Sequence, residues 1–175
     1  MLALQFITIG FLLPVIWQDF SSRTIHWPLI ASSGIFLGIN CYIENGPFDS
    51  ISLVLKNLAF LIVLMSILVG YYAFRQRPAR SIINTSIGSG DLFFFLIMAL
   101  SFSFLNFMFF YFLGLLFSLT IWLAFRMLIN VKDISVPLAG MLSAYMIILL
   151  ILDILFSGFN RFDDSVILKL LWKLI

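Results

Sequence analysis

The chain has 175 residues, of which 63% are hydrophobic and 10% are charged, and its formal net charge is +2. A soluble globular domain is about half apolar and about a quarter charged, and a compact fold of this length has too small an interior to bury so much apolar surface. The composition therefore excludes a soluble enzyme, a disordered chain and a nucleic-acid-binding module with a large basic face. It predicts an integral membrane protein.

The chain is poor in residues that bind transition metals. Cys41 is the single cysteine and His26 is the single histidine. An internal disulfide and a multi-cysteine zinc site both need more cysteines than this. We therefore expect no bound metal and no other cofactor.

The first apolar stretch is similar in length to a signal peptide. No Lys or Arg precedes it, and no small-residue cleavage site follows it. We expect it to be retained as the first membrane span. The rest of the chain leaves no room for a separate soluble domain, so residues 1–175 are expected to form a single integral-membrane domain.

Apolar runs separated by polar breaks predict the fold class. We expect an all-α membrane protein, a polytopic bundle of about six transmembrane helices, because one span takes about 20 residues. Several of the runs lie near the lower length limit for a span. The predicted spans are Leu2–Trp17, Trp27–Ile43, Leu53–Phe74, Leu92–Leu105, Phe107–Phe125 and Val136–Phe156.

The distribution of Lys and Arg among the loops predicts the orientation of the bundle. The loops after the first, third and fifth spans hold six basic residues, whereas the opposite loops hold two. Because basic residues accumulate on the cytoplasmic side, we place the first set of loops in the cytoplasm and both termini outside. The six residues are Arg23, Arg75, Arg77, Arg80, Arg126 and Lys132, and the two are Lys56 and Arg161.

The last segment, Val166–Ile175, is too short to span a bilayer. Its Lys169 and Lys173 lie one helical turn apart among Leu, Ile and Trp residues. This pattern predicts an interfacial amphipathic helix on the outer membrane surface. Asp153, near the outer end of the sixth span, is expected to be interfacial as well.

Two acidic residues lie at span edges, where an ionisable side chain is costly. Asp19 directly follows the first span and Asp91 opens the fourth, so the predicted topology places both at the cytoplasmic end. Two carboxylates at one depth can share a proton. One then takes a proton from water while the other donates to a scissile carbonyl, which is the chemistry of an aspartic protease.

Gly88 and Gly90 precede Asp91 and suit such a site. Glycines adopt backbone angles that are closed to other residues and let a second chain approach closely, so an extended substrate segment fits beside Asp91. The structural alternative is a Gly-Ser-Gly turn with Asp91 capping the fourth span, and for Asp19 a pairing with Arg23. The matching depth of the two aspartates favours catalysis.

These residues resemble a known family. Asp19 followed by Arg23-Thr24-Ile25, and later Gly88-Ser89-Gly90-Asp91, resemble the prepilin peptidases, which are bacterial and archaeal intramembrane aspartic proteases of the GxGD type. The segment Val136-Pro137-Leu138-Ala139 is similar to a proline-containing segment that opens the last span in that family. The resemblance extends over nearly the whole chain in length, span count and placement of the two aspartates.

The resemblance implies a function and a location. A prepilin peptidase removes the basic leader from prepilins and pseudopilins at the cytoplasmic face of the inner membrane, for type IV pili or protein secretion. Asp19 and Asp91 would then be the catalytic residues, and Gly88 and Gly90 would be substrate-binding backbone elements. The implied partners are a prepilin-like substrate and the lipid bilayer, with no nucleic acid.

The chain departs from the family pattern in two respects. Phe93 stands where many members have Lys two positions after the second aspartate. The paired Cys-x-x-Cys motifs of the larger bifunctional members are absent, so we expect no methyltransferase activity and a similarity to the short, peptidase-only forms.

Three other functions fit the residues. A transport or channel protein would use the aspartates to bind protons or cations. A non-catalytic membrane subunit of a pilus or secretion system would not need them for chemistry. A GxGD protease with other membrane-protein substrates is a near neighbour of the main hypothesis.

Overall fold

The computed structural model describes residues 2–23, 25–74, 89–129, 136–156 and 160–174. All regular elements in these ranges are α-helices, which confirms the predicted all-α class. The described helices are α1 (Leu2–Ser22), α2 (Trp27–Phe74), α3 (Ser89–Met98), α4 (Phe104–Ile129), α5 (Leu138–Leu155) and α6 (Ser165–Leu174).

Four of the described helices are long and apolar enough to cross a membrane. They are α1, α2, the part of α4 from Phe104 to Met127, and α5. A multi-pass membrane protein is the architecture that such helices fit, because one span takes about 20 apolar residues. The predicted count of six spans is not confirmed.

Helix α2 is broken near its middle. Gly46 has a φ of 75° and a ψ of 174°, which is not a helical conformation. The hydroxyl of Ser50 donates to the carbonyl of Cys41 over 3.0 Å, although the two are nine residues apart. In a straight helix these residues would be separated by about 13 Å along the axis. The chain therefore bends sharply at Gly46, and α2 has a first arm (27–45) and a second arm (47–74).

Helix α3 is too short to cross a bilayer. Its ten residues extend for about 15 Å, against a hydrocarbon thickness of about 30 Å. The helix ends at Met98, and the turn at residues 99–103 that leads to α4 contains four buried residues. The predicted span Leu92–Leu105 is thus not one continuous helix. The turn is stabilised by Asn57, whose side-chain amide donates to the carbonyls of Ala99 and Phe102. We call this pair of hydrogen bonds the clamp on the α3–α4 turn.

Helices α1 and α5 pack side by side in antiparallel orientation. The backbone N–H of Gly140, near the start of α5, donates to Asp19 near the end of α1. At the opposite end, Gln5 of α1 donates to Asp153 of α5 over 2.7 Å. We call the end marked by Asp19 and Gly140 the proximal end, and the end marked by Gln5 and Asp153 the distal end.

An apolar core joins all the long helices and α3. It contains residues of α1, both arms of α2, α3, α4 and α5. Aromatic rings supply much of the packing on the α4 side, where the ring of Phe60 meets four others edge-on. The members that are at most 1% exposed are Leu12, Leu37, Phe94, Met98, Ala99, Phe107, Phe110, Ala139, Leu142, Met146 and Leu150.

The distal end is closed by a buried ion pair. Nε of Arg161 lies 2.7 Å from Oδ2 of Asp153, and the Arg161 side chain is 0% exposed. Arg161 and Gln5 both donate to the carboxylate of Asp153, and the interfacial position expected for this residue stays a prediction.

Candidate functional site

The carboxylate of Asp19 is held at the beginning of α5. Its Oδ2 accepts a hydrogen bond from the Gly140 N–H over 2.6 Å, and the residue is 7% exposed. Gly140 is the third residue of α5, and the N–H groups of a first helical turn have no acceptor within their own helix. Pro137, at the N-cap of α5, offers no side-chain cap. Asp19 therefore supplies the acceptor from a neighbouring helix, where the helix dipole favours a negative charge.

The contact between Asp19 and α5 depends on a glycine. A Cβ added at Gly140 would lie 3.1 Å from Cβ and Oδ2 of Asp19, and 3.1 Å from the ring of Phe20. Two of these atoms belong to a side chain fixed close to its own backbone, so they have little freedom to move away. Gly140 thus allows α1 to approach α5 closely enough for the hydrogen bond to form.

Asp91 lies at the same end of the bundle as Asp19. It is in the first turn of α3 and is partly buried. The preceding Gly90 faces the α1–α2 connection, because a Cβ added there would lie 3.7 Å from Cδ1 of Ile25. Ile25 is six residues beyond Asp19, in the connection that follows α1. The start of α3 therefore packs against this connection.

Side-chain contacts fix the described part of the connection between α1 and α2. Oε1 of Gln18 accepts a hydrogen bond from the His26 backbone N–H over 3.0 Å and lies 3.1 Å from Nδ1 of the same residue. Arg23 adopts a left-handed backbone conformation with a φ of 56°. Its guanidinium carbon lies 5.3 Å from the ring centre of Trp122 on α4.

Two exposed tryptophans lie close to Asp19 in the sequence. Trp17, two residues before Asp19, and Trp27, at the start of α2, are both largely exposed. The Asp19 carboxylate, by contrast, is buried against the start of α5.

Three of the four predicted site residues lie in the described part of the chain. The structure places Asp19, Asp91 and Gly90 at one end of the bundle. Gly88 lies outside the described residues, as do Thr24, Arg75, Arg77, Arg80 and Lys132. The convergence of the two carboxylates on one substrate bond stays a prediction. Within the described ranges, no three His, Cys, Asp or Glu side chains lie together in a way that could hold a metal ion.

Sequence reasoning missed Gly140. The proline-containing segment that it singled out ended at Ala139, one residue short of the N–H that binds Asp19. A signal was present, since Gly140 stands in the first turn of a span, just after Pro137. Its partner on α1 lies 121 residues earlier in the chain, so the pairing depends on the tertiary fold.

The chain matches no protein-family model. It likewise matches no curated protein and no solved structure.

Proposed function

We propose that this chain is an intramembrane aspartic endopeptidase that removes the basic leader from prepilin-like substrates and has no methyltransferase activity. The observation that carries the proposal is the buried carboxylate of Asp19, held by Gly140 at the end of the bundle where α3 begins with Gly90 and Asp91. Two acidic residues from separate helices, at the edge of the membrane, are the minimum that the reaction needs.

The proposed reaction uses the two aspartates as a pair. One ionised carboxylate takes a proton from a water molecule as the water attacks the scissile carbonyl. The other, protonated, donates to the carbonyl oxygen, and the pair returns to its starting state when the amine leaves. The glycines before Asp91 leave room for the backbone of an extended substrate. Because each carboxylate carries out one of the two proton transfers, a mutation of either residue is expected to abolish cleavage.

We further propose six passes through the inner membrane with the proximal end in the cytoplasm. The sharp bend at Gly46 supports a separate crossing by each arm of α2. The fourth pass would consist of α3 and the buried turn that follows it, and irregular backbone at membrane depth is tolerated where protein surrounds it. The basic residues of the α1–α2, α2–α3 and α4–α5 connections support the cytoplasmic assignment.

Co-expression with a candidate prepilin from the same genome tests the proposal. The mass of the substrate is measured on a gel for the wild-type protein and for the Asp19→Asn and Asp91→Asn variants. Asp49→Asn is the matched control, because Asp49 is an exposed carboxylate near the Gly46 bend. Membrane levels of all four proteins are compared by immunoblot, so that loss of folding is distinguished from loss of chemistry.

The expected result is leader removal by wild type and by Asp49→Asn, and none by the other two variants. Cleavage by all four proteins would assign the activity to a different enzyme. A failure of the wild type with every prepilin of the genome would contradict the proposed substrate class.

Proton or cation transport is a second candidate, supported by buried polar atoms that lack partners. In the described part of the chain, Oδ1 and Nδ2 of Asn40, Oε1 of Gln5, Oδ1 of Asn57 and Oγ of Ser101 are buried without a hydrogen-bond partner. Buried polar groups of this kind are usually satisfied by water. Proton uptake into vesicles that is lost in Asp91→Asn, with no proteolysis by the wild type, would favour transport.

A further inference from the structure

The second arm of α2 is buried in its distal part and more exposed toward the proximal end. Near the distal end it is firmly packed: Asn57 donates to the α3–α4 turn, and the ring centre of Phe60 lies 5.9 Å from that of Tyr111. Leu61 is the last buried residue of the arm, and none of the side chains in the described residues 62–74 is buried. By contrast, α4 buries side chains as far as Trp122, close to the proximal end.

One face of α3 is exposed, near the same end. Ile97 packs on Gly34 of the first arm of α2, because a Cβ added at Gly34 would lie 2.9 Å from it. Phe95 packs on Tyr111 of α4, with ring centres 4.9 Å apart. At 3.6 residues per turn, Phe93 and Leu96 point between these two neighbours. The second arm of α2 covers that direction at the distal level and leaves it open at the proximal level, where Phe93 is 58% exposed.

We call the space bordered by residues 62–74 of α2 and by Phe93 and Leu96 of α3 the lateral cleft. Its walls are apolar, since the exposed side chains of the arm include Ile62, Val63 and Ile67. At the proximal level it meets the first turn of α3, which holds Asp91.

We infer that the lateral cleft receives the apolar transmembrane helix of the substrate, which rests on the proposed peptidase function. An apolar helix against Phe93 and Leu96 would have the residue at its cytoplasmic end beside Asp91, only about one helical turn further along α3. A peptide bond directly before the apolar helix then lies at the depth of the aspartates. The basic leader before that bond remains in water, so no charge has to enter the hydrocarbon.

Site-specific photo-cross-linking tests the inference. A benzophenone amino acid is placed at Ile67 or Phe93 in the cleft, and at Leu13 of α1 or Ile148 of α5 as controls. All four positions are apolar and exposed, and the two controls lie on helices that do not form the walls of the lateral cleft. Each variant is co-expressed with the prepilin substrate, and both the cross-linked adducts and the cleavage of uncross-linked substrate are measured.

The expected result is cleavage by the wild-type protein and by the Leu13 and Ile148 variants, together with substrate adducts at Ile67 and Phe93 but not at Leu13 or Ile148. Cleavage with adducts at all four positions, or only at the controls, would contradict the cleft as the binding site of the substrate helix, but it would not contradict the proposed peptidase function. Adducts of the chain with a second copy of itself at Ile67 would make the cleft a contact between protomers and also overturn the inference. Cleft adducts without cleavage would support docking and contradict the peptidase, whereas neither adducts nor cleavage would overturn both.

Discussion

Asp153 and Arg161 form a buried ion pair with 2.7 Å between Oδ2 and Nε. The pair links the end of α5 to the segment that precedes α6, and Gln5 of α1 donates to the same carboxylate oxygen. The backbone carbonyl of Arg161 also accepts hydrogen bonds from Ser103 and Asn106 at the α3–α4 turn. Arg161 and its partner Asp153 therefore connect α1, α5, the α3–α4 turn and the segment that precedes α6 at the distal end.

Removal of either member of this pair is expected to be strongly destabilising. In Asp153→Leu the guanidinium of Arg161 stays buried without its counter-ion, which costs about 3–5 kcal/mol. Replacement of both, as in Asp153→Leu with Arg161→Met, removes the uncompensated charge and is expected to cost much less than the sum of the single changes. Thermal unfolding of the four proteins in detergent gives the coupling by a double-mutant cycle.

Lys56→Met is the control for these measurements, because Lys56 is an exposed basic residue of the second arm of α2. Its substitution is expected to change stability by less than about 0.5 kcal/mol. Strictly additive effects of Asp153→Leu and Arg161→Met would show that the two charges do not depend on each other.

The close approach of α1 to α5 makes a second prediction. In Gly140→Ala the new methyl group meets Cβ and Oδ2 of Asp19 at 3.1 Å, so α1 and α5 must move apart. We expect a loss of about 1–3 kcal/mol from overpacking and a loss of prepilin cleavage, because the carboxylate is displaced from its N–H donor. Gly10→Ala is the matched control, since nothing lies within 4 Å of a Cβ at that position. It is expected to stabilise α1 by up to about 1 kcal/mol.

Unfolding midpoints and cleavage rates are measured for both glycine variants. If Gly140→Ala retained both the stability and the activity of the wild type, the Gly140–Asp19 hydrogen bond would have no role in the site.

The sequence predicts most of the helices because the length of an apolar run is a local property. The first helix begins at Leu2 in both prediction and structure, the last long helix begins at Leu138 against a predicted Val136, and the C-terminal helix begins at Ser165 against Val166. Both aspartates stand out in the sequence because an ionisable group at the end of an apolar run is unusual whatever the fold. These inferences need no knowledge of which helices are neighbours.

The interruptions and the buried polar contacts could not be predicted in this way. Residues 99–103 are mostly apolar or small, so the apolar run continues through the turn, and the Asn57 side chain that stabilises the turn lies 42 residues earlier in sequence. Arg161 likewise stands in a polar stretch of sequence that is typical of a loop. Only the tertiary fold brings Asp153 and the α3–α4 turn around it. Each of these contacts joins segments that the sequence alone leaves unrelated.

The clamp on the α3–α4 turn makes a third prediction. Asn57→Ala removes both hydrogen bonds of the side-chain amide, to the carbonyls of Ala99 and Phe102. Each buried carbonyl left without a donor costs about 1–3 kcal/mol. Because α3 has only ten residues, a shift of its distal end also moves Asp91, so we expect slower cleavage in addition to lower stability.

Asn45→Ala provides the comparison for Asn57. The amide of Asn45 donates to the carbonyl of Cys41, which keeps its hydrogen bond from Ser50 after the substitution. A small effect on the unfolding midpoint is expected. Equal effects of the two substitutions would contradict the clamp.

The stability of the first turn of α6 is expected to depend on pH. The Ser165 hydroxyl and backbone N–H both donate to Asp163, and they hold the pKa of this carboxyl below its ordinary value of 3.8. A lowered pKa in the folded state means that the stabilisation is fully present above pH 3.8 and is lost as the pH falls through the folded value. Hydrogen exchange of the α6 amides, corrected for intrinsic rates, is therefore expected to be constant from pH 7 to about 5 and to accelerate below about 4. In Asp163→Asn this acceleration should be smaller, because the amide that replaces the carboxyl does not titrate. An identical acceleration in both proteins would assign the pH dependence to another group.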